Sequence, residues 1–104
     1  MATKLKLVTL TKTVASAGTA EAVVAVSTPA IAFSIHAEPS NTGVIYYGDS
    51  TTDNTSAQLA NNDVYNAGPE VLGGIIDMLD VYIDASVSTD GVFVAYIAPQ
   101  AVGG

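Results

Sequence analysis

The 104-residue sequence predicts an all-β fold, an antiparallel β-sandwich of jelly-roll-like form with about seven to eight short strands, on three observations. Val, Ile and Thr supply 31 residues, and these β-branched side chains, stiff at χ1, suit a pleated surface better than a helix. Apolar and polar residues alternate with period two over Ala30 to Glu38 and over Leu79 to Asp84, the pattern of strands covered on one side. Turn residues separate short apolar runs at close intervals, as in sandwiches and barrels.

Taken in order, Lys4 to Lys12 reads as the first strand, with Leu5 and Leu7 on one face and Val8 and Leu10 on the other. That change of phase near Leu7 predicts either a β-bulge or a strand covered on both sides, and in a chain this small the second cover would be another subunit. Ala15 to Gly18 is a small-residue turn, and Glu21 to Val26 reads as the second strand, stopped by Pro29. In Ala30 to Glu38, Ile31, Phe33, Ile35 and Ala37 share one face, and Ala32, Ser34, His36 and Glu38 the other. Pro39 to Gly43 carries turn chemistry, Val44 to Tyr47 is the next strand, and the polar run Asp49 to Thr55 must be exposed.

From Ser56 to Gly74 the pattern weakens. Leu59, Val64 with Tyr65, and Val71 with Leu72 mark brief strands, Ala57 to Ala60 has room for one helical turn, and Gly73-Gly74 marks a bend. Leu79, Val81 and Ile83 alternate with Asp80, Tyr82 and Asp84. The last strand, Val92 to Ala98, is apolar on both faces, which fits a central strand or one sealed by a partner. The tail Ala101 to Gly104 reads as frayed. The whole makes a single domain, residues 1–104, with residues 1–12 as an N-terminal arm or edge strand.

Ten acids against three lysines, with no arginine, give a formal charge of -7 and argue against a nucleic-acid partner and against an anionic membrane surface. The apolar runs are too short and too often broken to span a bilayer, and Leu5, Leu7 and Leu10 are interleaved with polar residues, which leaves no signal-peptide h-region. Cysteine is absent, so neither a disulfide nor a thiolate metal site is available. Lys4, Lys6 and Lys12 carry all the strong positive charge. They read as edge-strand lysines that discourage unwanted pairing, or as a basic arm for the acidic surface of a neighbour.

No residue is nominated as catalytic, cofactor-binding or metal-ligating. The one imidazole, His36, could meet Ser34 and Glu38 on one strand face, but no nucleophile elbow accompanies it. On a strand, Asp80 and Asp84 would stand roughly 13 Å apart, beyond the ~5 to 9.5 Å of glycosidase carboxylate pairs. Asp49, Asp53 and Asn54, or Asp84 and Asp90, offer oxygen ligands for calcium without EF-hand spacing, and Asx-turn chemistry accounts for them equally. Tyrosine joins apolar area to a polar tip and is common at interfaces. The candidate interface residues are therefore Lys4, Lys6, Lys12, Val8, Leu10, Tyr46 and Tyr82.

The run Asn41-Thr42-Gly43-Val44-Ile45-Tyr46-Tyr47-Gly48-Asp49-Ser50, then the polar loop, Pro69-Glu70, Asp80-Val81-Tyr82-Ile83-Asp84-Ala85-Ser86 and Asp90-Gly91-Val92-Phe93-Val94-Ala95-Tyr96-Ile97, resembles small all-β virion proteins of tailed bacteriophages, in particular capsid decoration or cement proteins. That resemblance covers roughly residues 30–98. It departs from the usual pattern at Gly68-Pro69-Glu70 and in the apolar Val71 to Met78. It implies a non-enzymatic structural protein on the exterior of the virion capsid, with the major capsid protein and copies of itself, as a homotrimer, for partners. It implies no cofactor and no small-molecule substrate. Related domains in tails, baseplates and fibres, and a carbohydrate or host-attachment module, are the alternatives.

Overall fold

A computed structural model describes residues 3–68 and 73–101, and within them the chain is all-β with antiparallel pairing throughout. The strands are β1 (Thr3–Thr13), β2 (Glu21–Ala22), β3 (Pro29–Ala30), β4 (Ala32–Ala37), β5 (Ile45–Gly48), β6 (Ala57–Leu59), β7 (Val64–Ala67), β8 (Ile76–Asp77), β9 (Tyr82–Ala85) and β10 (Gly91–Ala101). They pair as a nest: β1 with β10, β2 with β9, β3 with β8, β4 with β7 and β5 with β6. One long folded-over ribbon of this kind is then rolled up by lateral pairing of β10 with β4 and β5 with β9. The result is two four-stranded sheets, β1-β10-β4-β7 and β2-β9-β5-β6, which is jelly-roll strand order.

The core lies between these sheets. Ile35, Ala37, Val92 and Val94 from the first sheet and Ile45, Ile83 and Ala85 from the second are all buried, with Val14 and Met78 closing the ends. Period-two alternation delivers these residues to one face of each strand, so the inward positions of β4 and β9 follow directly from the pattern, whereas the doubly apolar β10 turns Val92 and Val94 inward. Two tyrosines join the layers: Tyr65 of β7 stacks on Tyr47 of β5 at 4.8 Å and meets Phe33 of β4 at 6.0 Å between ring centroids.

Several local expectations change. Only Glu21–Ala22 of the expected second strand pairs, because the chain bends through residues 23–26. Pro29 does not merely stop a strand: it lies in the two-residue β3, beside β8, where a ladder can dispense with its missing N–H. Ala57–Leu59 is strand β6, without a helical turn. Met78–Asp80 is a 3-10 turn, with the strand beginning only at Tyr82, since the Asp77 side chain caps the turn by accepting from Leu79 N–H. Among the described residues ten strands exceed the expected seven or eight, because two-residue pairings such as β3 with β8 carry too little pattern to be seen. The expected Val71–Leu72 strand, Pro69 and Glu70, and the terminal residues 102–104 lie outside the described residues.

β1 runs in unbroken register against β10 from Thr3 to Thr13, so no bulge occurs at Leu7. The phase change instead records a strand with apolar residues on both faces. Val8 and Leu10 pack against the core, whereas Leu5 and Leu7 point to the other side.

Candidate functional site

The outward face of sheet β1-β10-β4-β7 is the most distinctive surface of the molecule. Cross-strand register sets Leu7 beside Ile97, Thr9 beside Ala95 and Thr11 beside Phe93, then Ala95 beside Ser34 and Phe93 beside His36, and finally His36 beside Val64. Leu5 is 53% exposed, Leu7 68%, Val64 47% and Phe93 42%. No Asp, Glu or Lys occurs at these positions, although the chain carries ten acids. Small residues at the centre, Ala32, Ser34 and Ala95, leave a shallow hollow of about 230 Å³ bounded by Leu7, Ile97 and Asn66.

His36 belongs to this face. Its ring meets Phe93 edge-on at 5.6 Å, and its Nε2 lies 3.2 Å from the Asn62 side-chain oxygen.

The aspartates hold loops. Asp90 accepts from Thr42 N–H at 3.0 Å and Gly43 N–H at 2.7 Å, and Asn41 bonds reciprocally to Gly91, so the turn before β10 is tied to the turn before β5. Asp84, only 2% exposed, accepts from Gly18 N–H and Ala85 N–H, which draws the loop after β1 over the second sheet. Asp49 and Asp53 close turns on Thr51 and Thr55, whose hydroxyls and N–H groups hold both carboxyls below the usual carboxylate range. Among the described residues, no three His, Cys, Asp or Glu side chains converge as a metal site would require.

The candidate interface residues fall in separate places. Lys4 and Lys6 are exposed at the open end of β1. Lys12 is tied to Glu21 of β2 at 2.9 Å across the gap between the sheets, and this hydrogen-bonded ammonium, helped by Ala15 N–H, holds the Glu21 carboxyl below its ordinary value. Val8 and Leu10 are half-buried against the core. Tyr46 and Tyr82 are half-buried on the outward side of the second sheet, where Tyr46 borders a hollow of about 500 Å³ with Asp53, Asn54 and Asp84. Of the residues that form the uncharged face, Leu5, Leu7, Phe93 and Ile97 were legible only as the second apolar faces of β1 and β10, and Val64 only as part of a brief strand.

No helix among the described residues is long and apolar enough to cross a membrane. Compared with family models, curated proteins and solved structures, the chain gives no match.

Proposed function

We propose that this chain is a non-enzymatic structural protein of a tailed-bacteriophage virion, a decoration protein that binds the exterior of the assembled capsid and stabilises it. The observation that carries the reading is the uncharged outward face of sheet β1-β10-β4-β7 on an otherwise acidic body. Exposed contiguous apolar surface marks an interaction site, and net charge keeps the free subunit soluble until that surface is covered. Strand rise and spacing give this face an area on the order of 500 Å². Against the roughly 800 Å² per partner of a standard interface, one such contact is weak. Repetition over a capsid lattice turns weak contacts into avidity. The jelly-roll order agrees with this use only by analogy, since the same architecture serves capsid and lectin domains alike.

Mixing the purified chain with capsids that lack it should yield stoichiometric binding, and Ala95→Asp at the centre of the face should abolish it. Capsids that take up neither form would refute the reading. The hollow beside Tyr46 favours the second reading, a carbohydrate-binding module. Selective binding on a glycan array, lost on Tyr46→Ala, would put that reading first.

A further inference from the structure

The two longest strands, β1 and β10, continue past the rest of their sheet. β4 pairs with β10 only as far as Ile97, so Thr3–Lys6 and Ala98–Ala101 have only each other as ladder partners among the described residues. The molecule accordingly measures 48 × 24 × 24 Å. An isolated two-stranded ribbon is marginal in water, and this one presents Leu5 on one side, with Leu7 next along the same face at its root, and Lys4 and Lys6 on the other, all four exposed. Lys4 and Lys6 make no ion pair among the described residues, whereas Lys12 is engaged by Glu21.

A counterpart exists toward the opposite edge of the same fold. A cleft of about 290 Å³ opens between the sheets, with Phe33, Ile35 and Tyr65 on the first-sheet side and Tyr47, Asp49 and Asp80 on the other. Both aspartates are exposed, and no basic residue lines the cleft. Thr51 donates to Asp49 twice, through its hydroxyl and its N–H, and holds that carboxyl below the ordinary carboxylate range.

We propose that the chain assembles head to tail, the Lys4–Leu7 segment of one copy entering the cleft of the next, with leucine against the Phe33 and Tyr65 wall and the lysines against Asp49 and Asp80. Strand alternation sends leucines and lysines to opposite sides, and the cleft offers an apolar first-sheet wall facing a mixed one, where Asp49 and Asp80 flank Tyr47, Ile76 and Val81. The segment cannot serve its own cleft, because β10 clamps β1 at one edge of the sheet while Tyr65 lies in β7 at the other. A head-to-tail contact that repeats closes into a ring where the rotation allows. This deepens the reading of the chain as an assembling module, and its test needs no capsid.

Analytical ultracentrifugation of the full chain should show an oligomer that Lys4→Glu/Lys6→Glu converts to monomer, as does Asp49→Lys/Asp80→Lys. The four substitutions combined, which restore opposite charges in reversed order, should recover the oligomer. A benzophenone probe on Leu5→Cys, the sole cysteine, should cross-link between subunits to peptides containing residues 33–35 or 65. A monomeric parent chain, an oligomer indifferent to either reversal, or cross-links confined to other surfaces would overturn the proposal. A monomeric variant that still binds capsids would leave it standing and separate self-assembly from docking. An oligomeric parent that ignores capsids would refute only the capsid reading.

Discussion

Asp77 shows how one side chain in this protein stabilises several backbone groups. Its carboxylate accepts from Ser27 Oγ at 2.5 Å, Thr28 N–H at 2.8 Å and Leu79 N–H at 3.0 Å, joining the approach to β3 with the 3-10 turn after β8. Those bonds, the Ser27 hydroxyl foremost, hold its pKa below the ordinary carboxylate value, and Glu21, Asp49 and Asp53 are lowered in the same sense. A carboxylate whose folded-state pKa is depressed adds stability above its unfolded pKa and loses it as pH falls through the folded value. The melting temperature should therefore hold steady from neutral pH to roughly pH 4 and fall below it. Asp77→Asn should make the acid slope shallower while lowering Tm at neutral pH, and calorimetry across pH measures both; an unchanged slope would contradict the assignment. At this scale the sequence was partly legible. Asp49-Ser50-Thr51 and Asp53-Asn54-Thr55 announce Asx turns by spacing alone, but the partners of Asp84 and Asp90 lie 66 and 48 residues away and no local pattern reveals them.

Among the elements, β10 carries both the core and the candidate surface. Val92 and Val94 are buried against Ala37 and Ile35, while Phe93, Ala95 and Ile97 point outward. A charge on the inward side has no partner and no water, so Val94→Asp should prevent folding or cost several kcal/mol. The same charge one residue later, Ala95→Asp, should change stability by about 0.5 kcal/mol or less, since it enters a solvent-facing position. Urea unfolding of the two variants checks the contrast, and comparable losses in both would mean that the outward face is covered within the subunit. The doubly apolar pattern of β10 was visible in the sequence, yet it left two explanations open, a central strand or a partner-sealed one. The structure makes β10 central, between β1 and β4, and still leaves its second face uncovered. Pattern reports which side chains avoid water; it does not report what shields them.

For the whole molecule, nested pairing has a kinetic consequence. β1 and β10 cannot join until the chain between them has been ordered or looped out, and closing long loops is entropically costly. Folding should accordingly fall in the millisecond-to-second range of all-β domains dominated by non-local contacts. Stopped-flow fluorescence of the five tyrosines, undisturbed by tryptophan, can follow it. Microsecond refolding would mean that local hairpins, not the rolled ribbon, dominate the transition state. Charge is also unevenly laid out at this scale, with Lys4 and Lys6 exposed on the projecting end of β1 while Asp49 and Asp80 border the cleft between the sheets. Head-to-tail order would satisfy both ends of that polarity.

By itself the sequence determined the all-β class, the inward face of β4, the turn around Pro39 to Gly43, and the acidic character of the body. These depend on neighbours within a few residues, where alternation, β-branching and turn chemistry act. Only the tertiary structure decided that Lys12 meets Glu21, that Asp84 and Asp90 bind distant loops, that Leu79 belongs to a turn, and that four strands contribute to one uncharged face. Each of those depends on which strands become neighbours, and strand order is set by the fit of the whole core, a quantity that no short window of sequence contains.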